Sequence, residues 1–289
     1  MRNQLEILQN TELELVKEFH GICEQYDLKY LLAFGTMIGC ARHHGFIPWD
    51  DDIDVVMPWE DYCKFIEIAN QVSDPRYMVF HESTVKNYAF PFAKFVKKDS
   101  CAIFEYPFVH YMDQPIYIDI FPALLVPKNY MQFKHIQASN FFLSQTARMK
   151  TLSAFKHTRR GFFAKAGMLM FYCLNKMIPQ KACYSGMMKT ALSVKEEDAR
   201  CCYIGDMYSE TDAIGRFQMP ADVFERRILM PFEDTALYMP RDYDSILRGM
   251  YGDYMKLPPE DQRKSHGFLY VDDNLSYQEY DRQQKGKAD

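Results

Sequence analysis

Apolar residues recur at helical and strand spacings along the first 125 residues, and these spacings predict an alternation of helices and strands. Residues 11–26 are predicted to be an amphipathic helix, because Leu15, Phe19, Ile22 and Tyr26 fall on one face. Buried strands are predicted at 29–36, 53–57, 77–83, 92–98 and 116–124, with a short helix or turn through Gly45 and a helix from Pro58 to about Val72. We therefore expect residues 20–125 to mix helices with a sheet.

The second half of the chain has a different pattern. From Met131 to about Leu192, Met, Phe and Leu recur at helical spacing, which predicts a helical segment. Residues 203–254 mix apolar and polar positions and are interrupted by prolines. The polar tail from Asp272 is expected to fray. No Pro-, Gly- or Ser-rich linker divides the chain, so we expect residues 1–289 to be a single unit.

Composition narrows the class of protein. The chain has 289 residues, of which 48% are hydrophobic and 25% charged, as in ordinary globular proteins. Its eight cysteines are scattered without a CxxC pair, so we expect reduced thiols. No apolar run reaches about 18 residues, and residues 1–10 lack the pattern of a signal peptide. These features predict a cytoplasmic protein without a membrane-spanning helix.

Charge is distributed unevenly along the chain. Residues 127–200, here called the basic block, carry thirteen Lys and Arg against three acids, a local charge of +10, whereas the rest of the chain carries −15. The net charge of −5 argues against a nucleic-acid partner. Three interpretations of the basic block remain open. One is peripheral contact with the anionic inner face of the cytoplasmic membrane, and another is a helical subdomain whose apolar residues form a core. The third is RNA binding, which the lack of a recognisable RNA-binding module argues against.

The candidate chemistry centres on the segment FIPWDDDIDVVM (46–57), where Asp50, Asp51, Asp52 and Asp54 lie within five positions and are flanked by apolar residues. Placing such a cluster beside a hydrophobic strand costs free energy unless a positive charge neutralises it. Side chains two apart on a strand point to the same side, so Asp52 and Asp54 are predicted to project together. Oxygen ligands of this kind suit Mg²⁺ or Mn²⁺. The alternative is a solvated acidic turn or a helix cap.

Two further features support a site at this position. Asp119 interrupts the apolar strand IYIDIF and would add a third carboxylate if the two strands are neighbours. The alternative for Asp119 is a buried carboxylate bonded to the backbone or to an arginine. Gly35 and Thr36 end a predicted strand and begin a helix, where backbone N–H groups and the Thr36 hydroxyl can bind a phosphate.

This order of Gly-Thr, an acidic pair and a third carboxylate resembles the nucleotidyltransferase superfold. The segments GTMIGCARHHGFIPWDDDIDVVMPWEDYCKF (35–65), PFAKFVKKDS (91–100), DIFP (119–122) and residues 231–259 resemble the LicD family. The resemblance covers roughly residues 20–270. It implies an α+β fold with a nucleotidyltransferase-like mixed-sheet core at 20–125, flanking helices, a helical insertion at 127–200, and a C-terminal segment at 201–270 that completes the site.

The resemblance also implies a reaction. LicD-like proteins transfer phosphocholine from CDP-choline to a sugar hydroxyl of a bacterial surface glycan, such as a teichoic acid or lipopolysaccharide, and release CMP. The related fukutin-related proteins transfer ribitol phosphate from CDP-ribitol. We therefore expect a Mg²⁺- or Mn²⁺-dependent phosphotransferase that uses CDP-choline or another CDP-alcohol and a lipid-linked glycan acceptor. The alternatives are a nucleotidyltransferase and a catalytically silent member that binds a glycan or a nucleotide.

Residue roles follow from the matched motifs. Asp52, Asp54 and Asp119 are the expected catalytic residues, and together with Asp50 they are the expected metal ligands. The expected donor-binding residues are Gly35, Thr36, Arg42, His43, Lys94, Arg263 and His266. By the residues alone, Arg42 and His43 could instead form an exposed basic turn, Lys94 could lie at the surface, and His266 could cap a loop. A choline head group would also require an aromatic cage, for which the candidates include Trp49, Tyr88, Tyr106, Tyr111 and Tyr117.

Overall fold

The structure is a computed structural model that describes residues 3–85, 88, 90–104, 114–151, 179–203, 218–265 and 267–286. These residues form an α+β fold, which confirms the expected class. Their seven helices are α1 Gln4–Gln25, α2 Phe34–His43, α3 Trp59–Val72, α4 Tyr130–Thr151, α5 Gln180–Ala191, α6 Tyr243–Tyr251 and α7 Tyr277–Lys285. Their strands are β1 Leu31–Leu32, β2 Asp54–Pro58, β3 Tyr77–Phe80, β4 Ala93–Lys97, β5 Cys101–Phe104, β6 Tyr117–Pro127, β7 Ala199–Tyr203, β8 Gln218–Met219, β9 Arg227–Phe232, β10 Thr235–Pro240 and β11 Phe268–Asp272.

The main sheet is mixed and is organised around β6. Its strand order is β1-β2-β6-β4-β3, and β7 adds to the second half of β6, with β8 beside β7. The β2–β6 pair is parallel, and the other pairs are antiparallel. Because β2 and β6 run in the same direction, their first residues meet at one edge of the sheet. That edge holds the aspartates.

Helices α1 and α3 pack against this sheet and bury its core. α1 contacts β4 and β6, and α3 contacts β2, β3 and β6. The apolar stripe of α1 includes Leu8, Leu15 and Phe19, all of which are buried. α1 begins seven residues before the predicted helix, because Asn3 caps its first turn by accepting a hydrogen bond from the Leu5 N–H and Leu8 extends the apolar stripe.

Two other predictions differ from the structure. The strand expected at 29–36 is only Leu31–Leu32, because α2 begins at Phe34 and takes Gly35 and Thr36 into its first turn. The polar tail contains α7 instead of a frayed end, since Ser276 and Glu279 form a reciprocal capping box. The strands predicted at 53–57, 92–98 and 116–124 and the helix ending at Val72 are confirmed.

The structure describes the beginning and the end of the segment predicted to be helical, and these two parts form a pair of packed helices. α4 and α5 contact each other, and their buried residues share a second apolar cluster with Leu124 and Val126 of β6. Residues 152–178, which include five of the thirteen Lys and Arg of the basic block, lie outside the described part. Among the helices described, none combines the length and the apolar character needed to cross a bilayer.

Candidate active site

Asp54 and Asp119 face each other at the sheet edge where β2 and β6 begin. They are register partners in the parallel pair, and the Asp119 N–H donates to the Ile53 carbonyl at 2.9 Å. Ile53 is buried, so this strand end is anchored in the core. The expectation that the two strands are neighbours is confirmed, and the sheet itself brings the two carboxylates together.

Three more aspartates precede β2 in a segment here called the acidic loop (residues 50–52). Asp50, Asp51 and Asp52 each offer a carboxylate oxygen, and these oxygens lie within 4.8 Å of one another. Asp52 comes before the strand, so its proximity to Asp54 arises from the loop and not from strand alternation. Asp51, which is 1% exposed, was not among the predicted ligands.

The electrostatics of this group favour a bound cation. Burial raises the pKa of Asp54 well above its ordinary value, and the charges of Asp52, Asp119 and Asp50 raise it further, whereas Lys94 lowers it. Converging carboxylates repel one another, and a divalent cation relieves that repulsion. A donor set made only of carboxylate oxygens fits a hard cation such as Mg²⁺ or Mn²⁺.

The first turn of α2 holds the aspartates in place. The Asp54 N–H donates to the buried Thr36 hydroxyl oxygen at 2.9 Å. A Cβ placed on Gly35 would lie 2.9 Å from Asp50 Oδ2, so the absence of a side chain there admits the Asp50 carboxylate. Phe34, at the entry of the helix, has a φ of +44°, which is uncommon for a bulky residue. Gly35 and Thr36 are therefore in direct contact with the acidic residues.

Lys94 lies inside the site and not at the surface. It is the register partner of Asp119 across the β4–β6 pair, and its ammonium donates to Asp119 Oδ1 at 2.5 Å. The same ammonium lies 3.3 Å from the ring centroid of Tyr117 and 4.7 Å from that of Phe90. Burial lowers the pKa of Lys94, and Asp119 acts in the opposite direction. Lys94 thus stabilises the charged form of Asp119.

A cationic group lies next to the acidic loop. Arg42 donates to the Tyr254 carbonyl at 2.6 Å and to His43 Nε2 at 3.0 Å. Burial and then the charge of Arg263 lower the pKa of Arg42, whereas Asp50 raises it. Two guanidinium groups that repel each other beside the acidic loop form a suitable environment for an anionic ligand. His266, also expected here, lies outside the described residues.

The aromatic residues that could form a cage for a choline head group differ in burial and in the groups that they contact. Lys94 already covers the ring of Tyr117, and Tyr88 is buried. Trp49 is half-buried, and the Arg263 guanidinium lies 5.4 Å from its ring centroid. Tyr106 and Tyr111 lie outside the described residues. Of the candidates that the structure describes, Trp49 is thus the one in contact with the cationic group.

Sequence reasoning missed two residues besides Asp51. Tyr251, at the end of α6, has a partly exposed side chain, and its pKa is raised by burial and then by Asp54, Asp50 and Asp52. Glu12 of α1 is buried near the same carboxylates. Its signal in the sequence is its position on the apolar stripe, four residues after Leu8 and three before Leu15, where a carboxyl group is unexpected. Tyr251 carries no comparable local signal.

Comparison with known proteins agrees with the family resemblance of the sequence. Residues 27–165 match a family model described as the LicD/FKTN/FKRP nucleotidyltransferase domain. The lipopolysaccharide cholinephosphotransferase LicD of Haemophilus influenzae is 30% identical over 264 residues, which cover 88% of this chain and 92% of that protein. An uncharacterised protein of Rickettsia typhi is 35% identical over 68 residues, or 24% of this chain and 22% of its own length.

The fold and the comparisons together define an enzyme of the phosphotransferase class with a nucleotidyltransferase-like domain, as expected from the sequence. The chain belongs to the LicD family.

Proposed function

We propose that this protein transfers phosphocholine from CDP-choline to a sugar hydroxyl of a bacterial surface glycan and releases CMP. The observation that carries the proposal is the meeting of Asp54, Asp119 and the acidic loop at one sheet edge. Support also comes from the Haemophilus relative, whose name specifies cholinephosphotransfer to lipopolysaccharide and which this chain matches along most of its length.

The chemistry is a single displacement at phosphorus. The sugar hydroxyl oxygen forms a bond to the phosphorus that carries choline, and the bond from that phosphorus to the oxygen of CMP breaks. Asp119 accepts the hydroxyl proton, and Lys94, at 2.5 Å, keeps Asp119 in its charged form until then. Arg42 and Arg263 hold the diphosphate of the donor, and Gly35 and Thr36 fix the positions of Asp50 and Asp54.

A divalent cation, Mg²⁺ or Mn²⁺, belongs to this proposal. Asp50, Asp52, Asp54 and Asp119 would hold it, and the close approach of Asp51 to two of them adds a further oxygen donor. When bound, the cation would neutralise charge on the diphosphate and on departing CMP.

The acceptor and its location are also part of the proposal. A glycan repeat assembled on a lipid carrier would lie at the inner face of the cytoplasmic membrane. Peripheral contact through the basic block would bring the site to it.

The test supplies the purified protein with Mg²⁺, a panel of CDP-alcohols and candidate glycans, and identifies products by mass spectrometry. We expect a glycan that gains the mass of phosphocholine, together with CMP. In Asp52→Asn and Asp54→Asn, turnover should be abolished while the circular dichroism spectrum is unchanged. Asp99→Asn is the matched control, because Asp99 is an exposed aspartate outside the site.

Other products would identify another activity. Ribitol phosphate transfer would change the substrate, and transfer of CMP with release of the remaining phosphoester would make the protein a nucleotidyltransferase. Binding without turnover would indicate a silent member of the fold. Wild-type turnover in Asp52→Asn or Asp54→Asn would refute the metal assignment.

A further inference from the structure

Glu12 occupies an unusual position for a carboxyl group. It lies on α1 between the buried stripe residues Leu8 and Leu15, and it is only 2% exposed. Within the described residues, its Oε2 atom has no hydrogen-bond partner. A buried polar atom without a partner costs free energy, and a leucine at this position would avoid that cost. A ligand that gives the Glu12 Oε2 atom a partner would therefore stabilise this carboxyl group.

The face of α1 that carries Glu12 is joined to the acidic loop. Gln9 lies one helical turn earlier, and its side-chain amide donates to the Asp50 carbonyl at 2.8 Å. Residues three apart on a helix lie on the same face, so Glu12 lies on the face of α1 that contacts the acidic loop through Gln9. After burial, the groups that raise the pKa of Glu12 are carboxylates, in the order Asp52, Asp51, Asp50 and Asp119.

From this arrangement we infer that Glu12 supplies a further carboxylate oxygen to the divalent cation site formed by the aspartates. The inference rests on the proposed function, because it requires that site to bind a cation. The cation would balance the negative charge that converges there and would give the Glu12 oxygen the partner it lacks. α1, which precedes the matched family domain at 27–165, would then contribute directly to the site.

The test measures binding of Mn²⁺ to the chelator-treated protein by calorimetry and by the paramagnetic resonance signal of free Mn²⁺. We expect Glu12→Gln to weaken Mn²⁺ binding by about tenfold or more. Glu12→Met keeps a similar length without a side-chain oxygen and should weaken binding at least as much. Glu14→Gln is the control, because Glu14 is on the same helix, half-exposed and paired with Lys97 at 3.5 Å.

The melting temperature of the metal-free protein distinguishes a ligand role of Glu12 from a structural role. Glu12→Gln removes a buried acid next to four others, so the metal-free variant should melt at the wild-type temperature or above it. A lower metal-free melting temperature with an unchanged Mn²⁺-induced rise would make Glu12 a structural residue and overturn the inference. Wild-type Mn²⁺ affinity in both variants would overturn it while leaving the aspartate site intact. If the wild-type protein itself binds no Mn²⁺, the proposed metal site fails, and the inference fails with it.

Discussion

At the scale of single residues, the pairing of Lys94 with Asp119 is the most buried ion pair within the described part of the chain. Both side chains are mostly buried, at 8% and 13% exposure. Removing one partner of a buried ion pair leaves the other charge uncompensated, which typically costs about 3–5 kcal/mol. Lys94→Met should therefore lower the free energy of unfolding by about this amount, because Asp119 would remain beside Asp54. Urea denaturation followed by circular dichroism measures the change.

The double variant Lys94→Met/Asp119→Asn provides the control for this prediction. With both charges removed, neither member of the pair leaves its partner's charge uncompensated, and most of the lost stability should return. The coupling energy between the two sites follows from the four measured stabilities. Additive losses in the double variant would show that the two groups do not stabilise each other.

The residue scale also shows what the sequence can predict. Asp52, Asp54 and Asp119 could be found because carboxylates stand out within or beside apolar strands, and the structure brings Asp54 and Asp119 into register. Lys94 required the family motif, since a single lysine in a strand is usually a surface residue. Asp51 and Glu12 could not be assigned to the site, because their proximity to the other carboxylates depends on how the acidic loop folds and how α1 approaches it. Such an approach is a tertiary contact that local pattern does not encode.

At the scale of elements, the close contact between α2 and the acidic loop defines the site. Gly35 lies in the first turn of α2, and an added methyl group would be 2.9 Å from Asp50 Oδ2. Gly35→Ala should therefore displace Asp50, and phosphocholine transfer should fall by about 10- to 100-fold, as expected for a misplaced catalytic group. The measurement is turnover with CDP-choline, alongside the melting temperature.

Gly21 of α1 is the matched control for this substitution. A Cβ at Gly21 meets nothing within 4 Å, and the position is exposed in the helix interior. Gly21→Ala should leave transfer unchanged and raise stability by about 1 kcal/mol, the usual difference in helix propensity. Equal turnover in the two alanine variants would mean that the α2 contact does not position Asp50 for the reaction.

Helices and strands with a strong apolar pattern could be predicted from the sequence. Elements that depend on pairing with residues far away in the sequence could not. β2, β4 and β6 follow from continuous apolar runs, and α3 follows from Pro58 and its amphipathic stripe. β5 was not predicted, because it pairs with β11, which is more than 160 residues away in the sequence. The early start of α2 was missed because the apolar run at 29–36 has the same composition as a buried strand.

At the scale of the whole molecule, charge is separated between an acidic catalytic part and the basic block. In the described part of the block, α4 exposes the apolar side chains of Tyr130, Met131, Phe141 and Phe142, the last at 55%. Exposed aromatic residues within a basic segment are the combination that binds an anionic membrane surface. Each cation near such a surface contributes about 1 kcal/mol, so a few are enough for reversible binding.

The protein should therefore bind anionic liposomes at low salt, and binding should weaken as salt rises because the attraction is screened. Reversing Arg159, Arg160 and Lys165 to Glu should abolish binding in a sedimentation assay, while transfer to a small acceptor in solution continues. The control reverses Lys64, Lys256 and Arg282, three exposed cations outside the block, and should change binding little. If wild-type protein ignores anionic liposomes at low salt, the basic block is a packed helical subdomain and the acceptor reaches the site by another route.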